Sequence, residues 1–375
     1  MDAQMDALIV LLCIIGLIIL IISASIIVYF LRKAYIEKVK IQLLEKRLNS
    51  KIGKGLKYAF IVNPSKKKAG FLVSKIQEFF EKHQIGDFEV LYTEYDSPGQ
   101  NQARAAIENN ADVIVAVGGD GTARAVAQVV SNSNKRFAII PIGTANIFAR
   151  NLDLDPHNLY KCLLTAVAGH SKIYDVGFAK VKVKEGLNWS GSTEQTFLAV
   201  AGIGFDAAMI AGTSERLKKK IGWLAYFTGS VKHIRNPRIK AKIDMLNLDG
   251  ITHNIFEIEM RSLLFGNVSK IPGLTLIPPA KANDGKLDFV AIDTKANILG
   301  WGQLFSNIVM QSAGLKTKNT IKISNIKHRQ GLSAKVKTQS DVFLQLDGDI
   351  VGKTNELKIE LNPRALTVLV PDNNI

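Results

Sequence analysis

Val113-Ile114-Val115-Ala116-Val117-Gly118-Gly119-Asp120-Gly121-Thr122 is the stretch on which the reading of this chain turns. Its first half has no polar interruption, the signature of a strand buried on both faces in a parallel sheet flanked by helices. Its second half is a glycine turn, after which Ala123-Arg124-Ala125-Val126-Ala127-Gln128-Val129-Val130 sets apolar residues at helical spacing. Strand, glycine turn and helix start put backbone N–H groups and the positive helix end in front of an anion. Asp120 is the odd member. A carboxylate beside a phosphate repels it unless a cation bridges the two, which argues for Mg2+ and a nucleotide over a plain phosphate pocket. The plainer alternative is a tight turn with a solvated Asp; three glycines ending a buried strand weigh against it.

Working outward, Tyr58–Val62 reads as a first strand that runs into Asn63-Pro64-Ser65, and Phe71–Lys82 as an amphipathic helix. Phe88–Thr93 is a second strand and Gly99–Asn109 a second helix, so the strand before Gly118 is the third in a β-α-β-α-β-α series. Ligands bind such sheets at the strand C-termini, where Asn63, Thr93 and Gly118 to Thr122 all fall. A fourth strand, Phe137–Ile140, meets Pro141-Ile142-Gly143-Thr144-Ala145-Asn146 and a helix over Ile147–Asn151. Past Pro156 one helix, Leu159–Gly169, gives way to short alternating segments: Phe197–Ala201, Arg238–Leu246, Ile255–Arg261, Lys286–Asp293, Thr320–Ile326, Val342–Leu346, Glu356–Leu361 and Ala365–Val370. Their spacing predicts an antiparallel sandwich. Val183–Gln195 reads as an exposed hairpin loop.

The predicted fold is an α/β nucleotide-binding domain with a parallel, Rossmann-like sheet (57–155), then a mostly antiparallel β-sandwich domain (156–375) whose last strands are free to pack back on the first. Ahead of them lie a transmembrane anchor (1–31) and a basic juxtamembrane helix (32–56). Ala7 to Leu31 is one apolar run of roughly 25 residues, about 37 Å as a helix against a hydrocarbon core of about 30 Å. A secretory signal would want a basic start, whereas the first six residues carry only Asp2 and Asp6. Arg32, Lys33, Lys38, Lys40, Lys46 and Arg47 follow the run, so the catalytic part is expected on the cytoplasmic side of a single span. Residues 32–52 then read either as a solvated spacer helix or as a basic helix lying on anionic headgroups.

A net charge of +15 over 375 residues points to an anionic partner. The two cysteines, Cys13 and Cys162, exclude a disulfide framework, and the six histidines have no ligand spacing. Between Arg216 and Lys242 bases flank Trp223, Leu224, Tyr226 and Phe227, which suits nucleic acid or lipid; the apolar anchor favours lipid. Two acidic turns stand out later: Asn283-Asp284-Gly285-Lys286 and Leu346-Asp347-Gly348-Asp349. Asp-Gly pairs usually make hairpins, but Asp347 and Asp349 together could supply a general base and a metal-side carboxylate.

From Lys57 onward the chain resembles the diacylglycerol-kinase-type lipid kinases, a family that includes sphingosine and long-chain-base kinases. The resemblance is carried by Val62-Asn63-Pro64, Gly118 to Thr122, Pro141 to Asn146 with Phe148-Ala149-Arg150, Gly202 to Asp206, Lys220 to Tyr226, Pro279-Ala280 with Asp284-Gly285, and Leu346-Asp347-Gly348. Gly-Gly-Asp-Gly-Thr alone is shared with NAD kinases; the Gly-Thr-Ala-Asn element and the late Asp-Gly are more specific. The resemblance implies ATP contacts at Asn63, Pro64, Ser65, Thr93, Gly118, Gly119, Asp120, Gly121, Thr122, Ala123, Arg124, Ala125 and Thr144. It makes Asp347 the catalytic base and Asp120 a water-mediated partner of the catalytic Mg2+, with Asp349 in the same network. A structural Mg2+ would fall on Asp284 with Lys281 and Lys286. The implied partners are a lipid substrate and an anionic phospholipid surface, with no nucleic acid; a homodimer stays open. Bacterial diacylglycerol kinases commonly carry Asp where Ile147 stands, and sphingosine-type relatives lack it. The rival readings are an NAD kinase and a non-catalytic member that binds nucleotide or lipid without turnover.

Overall fold

In the computed structural model the described residues are all but 1, 67–68, 95–96, 186–187, 205–237, 272–273, 276, 278, 295–323 and 372–375. The basic and aromatic stretch from Arg216 lies outside them as far as residue 237, as do Asp206, Lys220 to Tyr226 and the first residues of the Thr320–Ile326 segment.

The chain begins with α1 (Asp2–Asn49), then alternates β1 (Tyr58–Val62), α2 (Ala69–His83), β2 (Phe88–Tyr92), α3 (Gln100–Glu108), β3 (Val113–Gly118), α4 (Asp120–Val130) and β4 (Arg136–Pro141) before α5 (Ile147–Asn151) and α6 (Leu159–Ala168). The four strands pair in parallel in the order β4-β3-β1-β2. Every residue of β1 and β3 is buried, because these strands sit inside the sheet with helices over its faces. That is why their sequences are apolar without alternation. β2, at the sheet edge, is only partly buried.

Among the described residues after α6 the elements are strands: β5 (His170–Glu185), β6 (Asn188–Phe197), β7 (Val200–Gly204), β8 (Ile239–Leu246), β9 (His253–Met260), β10 (Ser262–Gly266), β11 (Lys270–Ile271), β12 (Leu274–Thr275), β13 (Leu287–Thr294), β14 (Ser324–Gly331), β15 (Ser333–Leu346) and β16 (Asp349–Val370). These pair antiparallel in the order β14-β13-β10-β7-β15-β16. β5 and β6 extend from β16, and β8 and β9 from β15. The end of β16 then joins the first sheet, pairing in parallel with β4 at Thr367–Arg136 and Val368–Phe137. The last strand thus packs back on the first domain, as the sequence reading allowed, and does so by joining the expected parallel sheet and the later strands into one mixed sheet of 14 strands. Apolar side chains still gather into two cores, one around β1, β3, β4 and the helices and one among the later strands.

Several expected strands differ in detail. Phe197–Ala201 is not one strand, because the chain turns at Leu198 and Ala199 between β6 and β7. Glu356–Leu361 and Ala365–Val370 belong to one strand, β16, which carries a register shift between Asn362 and Leu366. Pro363 there suggests a break, since proline lacks the ladder N–H, but a bulge accommodates it. The described residues of Val183–Gln195 belong to the paired strands β5 and β6, where an exposed hairpin loop was expected.

The apolar part of α1 is long and hydrophobic enough to cross a membrane, with none of that window buried. Further along, the helix packs one face on the domain while Arg32, Lys33, Lys38 and Lys46 stay exposed. Leu44 and Leu48 are 1% exposed, in the core that α6 shares.

Candidate active site

Helix α4 begins at Asp120, three residues earlier than the sequence suggested, so the glycine turn is itself the helix entrance. Its first intrahelical bond is Ala123 N–H to the Gly119 carbonyl at 3.0 Å, which leaves the amides ahead of it without a helical acceptor. The second turn, at Gly143, comes against the first. A Cβ on Gly143 would lie 2.5 Å from Gly119 Cα, so neither backbone has room for a side chain.

Asn146 closes that second turn. It adopts the left-handed conformation (φ 48°), which asparagine tolerates better than most residues. Its Nδ2 donates to the Gly143 carbonyl (2.8 Å) and its Oδ1 accepts from the Gly143 amide (3.0 Å). Asp120 then ties the two turns together. Its Oδ2 accepts from Asn146 N–H at 2.8 Å and its Oδ1 from Ile147 N–H at 2.5 Å, the amides that open α5. Burial, helped by the charges of Asp347 and Asp349, pushes the Asp120 carboxyl up to about 7 against the pull of these two amides.

Asp347 arrives from the other half of the sheet. Leu346 pairs with Asp349, so Asp347 and Gly348 form a two-residue hairpin turn, both with positive φ (50° and 90°). The Asp347 carboxylate turns inward. It accepts from the amides of Leu198 (2.8 Å), Ala199 (2.8 Å) and Val200 (3.0 Å), while its own N–H donates to the Val200 carbonyl. The break between β6 and β7 exists to present these amides. Burial raises the Asp347 carboxyl, and the Arg124 charge and the amides offset that only in part. Asn267, fully buried, holds the same break from behind: its N–H bonds the Ala199 carbonyl and its Nδ2 bonds those of Leu198 and Asp175.

Three turns thus border a cleft of about 340 Å³: Gly119 to Thr122, Gly143 to Ala145, and Asp347 to Asp349, with Asn63 and Lys66 at one rim. Between Asp120 and Asp347 lies a small void of about 10 Å³, near the size of one water. Asn63 reaches Thr122 Oγ1 through Nδ2 (3.3 Å), and its Oδ1 accepts from Ser65, with Pro64 in the turn between them. Thr144 is exposed at the cleft.

Other expected residues lie elsewhere. Gly118, Thr93, Ala123 and Ala125 are buried and do not line the cleft. Arg124 is a brace between the halves: one guanidinium nitrogen donates to the Leu346 carbonyl (2.5 Å) and the other pairs with Asp349 (3.0 Å). Lys281, Asp284 and Lys286 stand outside the cleft on their own turn, where Asp284 accepts from the Lys286 amide and Asp175 from that of Gly285. Among the described residues no three His, Cys, Asp or Glu side chains gather tightly enough to hold a metal by themselves. Ile147 is 6% exposed and brings no carboxylate. Leu198 to Val200 and Asn267 escaped the sequence reading. An amide donates whatever its side chain, so only Asn146, in the motif, had a signal to find.

The diacylglycerol kinase catalytic domain model matches residues 57–179. Diacylglycerol kinases of Staphylococcus aureus, from strains bovine RF122 / ET3-1 and JH9, are each 26% identical over 277 residues, covering 72% of this chain and 78% of the relative. A diacylglycerol kinase structure from Bacillus anthracis strain Sterne superposes with a TM-score of 0.61 at 24% identity over 85% of this chain and 98% of that one, and a second structure from that organism reaches 0.64. At that identity the structures speak for the fold. The match over residues 57–179 is to the diacylglycerol kinase catalytic domain, the family that the glycine turn and its partner motifs resemble.

Proposed function

We propose that the protein is a membrane-anchored lipid kinase that transfers the γ-phosphoryl group of ATP to a lipid hydroxyl at the cytoplasmic leaflet. The observation that carries this reading is the pairing of Asp120 and Asp347 across a water-sized void in a cleft floored by a helix N-terminus. The amides opening α4 and the bare backbone at Gly119 and Gly143 suit the phosphates, which can approach where no Cβ intrudes. Asp347, held by three amides and shifted toward higher pKa, is placed to accept the proton of the attacking hydroxyl. As that oxygen bonds the γ-phosphorus, the bond to the ADP oxygen breaks, and the proton ends on the Asp347 carboxylate. Arg124 keeps the Asp347–Asp349 turn against α4 through the step.

The donor set fits Mg2+. Asp120, Asp347 and Asp349 border one cleft, and the first two are raised mainly by burial, a cost that a bound cation relieves. With too few side chains for a closed metal cage, the ion would be held by carboxylates, water and the phosphates themselves, neutralising charge on the transferring group. A second ion at Asp284 is supported by the neighbouring charges of Asp288 and Asp175, which, after burial, keep that carboxyl raised.

The substrate is a diacylglycerol or a sphingoid base. The apolar window of α1 and the basic flank after Leu31 favour a single span with the cleft on the cytoplasmic side. An NAD kinase would use the same glycine turn but has no need of the anchor. Membranes carrying the protein, given labelled ATP with either mixed lipids or NAD, should label a lipid and not NAD. Asp347→Asn should abolish that product while nucleotide binding persists; a labelled lipid from the variant removes Asp347 as the base.

A further inference from the structure

We infer that residues 36–49 form a docked strut that fixes the height of the cleft above the bilayer, with Glu37, Lys40 and Lys161 as its positioning residues. The inference rests on the membrane-anchored reading given above. α1 is one continuous helix from Asp2 to Asn49, and no glycine or proline occurs between Leu17 and Ile52. The helix leaving the apolar run has no hinge of its own.

Its lower part is locked to the catalytic domain at four points. Lys161 on α6 has no exposed side-chain surface, and its Nζ lies 2.7 Å from Glu37 Oε2 and 3.2 Å from the Asp153 carbonyl. Lys40 pairs with the Asp153 carboxylate. Tyr160 donates its hydroxyl to Glu45 (2.8 Å). Arg47 donates to the Ala168 and Gly169 carbonyls, placing a cation at the C-terminal end of α6. Leu44 and Leu48 fill the space between.

The buried lysine decides between a docked and a loose helix. With α1 swung away, Lys161 would lose its hydrogen-bonded carboxylate partner Glu37, and the apolar surface under Leu44 and Leu48 would open. Docking is therefore part of the fold. It also reaches the chemistry, since Asp153 follows α5, whose first amides Asp120 holds. From Leu31 to Glu37 is six residues, so the domain is gripped about 9 Å below the end of the apolar run. A lipid hydroxyl cannot travel to the enzyme. The length of α1 then sets which depth the cleft meets.

The test is to lengthen α1 after Lys33 in the full chain, in phosphatidylcholine–phosphatidylglycerol vesicles. A helix-forming insert of about 18 residues adds five whole turns, which keeps the facing and lifts the domain by about 27 Å. A Gly/Ser insert of equal length is a coil of about 23 Å that can fold back. A donor dye on Ile251→Cys, at an exposed hairpin tip, in a Cys13→Ala background, reads energy transfer to headgroup-labelled lipid. The helical insert should cut transfer by at least half relative to the Gly/Ser insert; equal transfer for the two overturns the strut. Phosphorylation of dioleoylglycerol in the vesicles should fall at least tenfold with the helical insert only, and turnover of detergent-dispersed dioctanoylglycerol should stay within twofold. A helical insert that keeps full vesicle activity also overturns it. If the unmodified chain phosphorylates neither lipid, the kinase reading fails, and energy transfer still decides the strut.

Discussion

Replacing Asp120 by asparagine separates what the carboxylate does for folding from what it does for chemistry. In the metal-free protein burial and the nearby acids raise its folded pKa to about 7 from 3.8. Between those values the folded state keeps a proton that the unfolded chain has lost. Stability therefore falls as pH climbs from about 4 to about 7 and levels off above. The full penalty, about 3 pH units at 1.36 kcal/mol each, is about 4 kcal/mol at pH 8. Asn, which like the protonated acid turns a donor toward the amide of Asn146 or Ile147, escapes the penalty at every pH. Asp120→Asn is thus expected to stabilise the metal-free chain by about 4 kcal/mol at pH 8 and by about 2 kcal/mol at pH 5. The same variant should lose at least a hundredfold in phosphoryl transfer. Urea unfolding of the full chain in detergent, from pH 5 to 8.5 with and without Mg2+ and ATP, measures this. A variant whose pH profile parallels the wild type would refute the assignment of that slope to Asp120.

Other expectations follow from the same geometry. Gly143→Ala puts a methyl 2.5 Å from Gly119 Cα and 2.8 Å from Asn146 Oδ1, so calorimetry should show nucleotide affinity down at least tenfold. Arg124→Ala frees the Leu346 carbonyl and Asp349; it should cost about 1–2 kcal/mol in thermal unfolding and lower kcat more than it raises KM for ATP. Glu37→Ala leaves Lys161 buried beside the Asp153 carbonyl alone among the bonds seen here, and should cost about 2–3 kcal/mol by urea unfolding.

The sequence by itself determined the parallel half of the fold and the glycine-turn side of the cleft. Buried strands such as Val113–Val117 need apolar residues throughout, and the turns at Gly118 and Gly143 need residues without a side chain, so both constraints are written in residue type. The Asp347-Gly348 turn was legible for the same reason, because positive φ at two successive positions selects Asp-Gly. Tertiary structure alone decided the rest. That Asp120 caps α5, that Arg124 braces the far turn and that Leu198 to Val200 cradle Asp347 all depend on which distant backbone groups meet. Backbone amides are the same in every residue, so their partners leave no mark in the sequence. The joining of two expected sheets into one, and the docking of α1 on α6, belong to the same class. Edge pairing and helix packing are set by where the chain returns in space, and the charges of Glu37 and Lys161 look like solvated surface until the fold places one against the other.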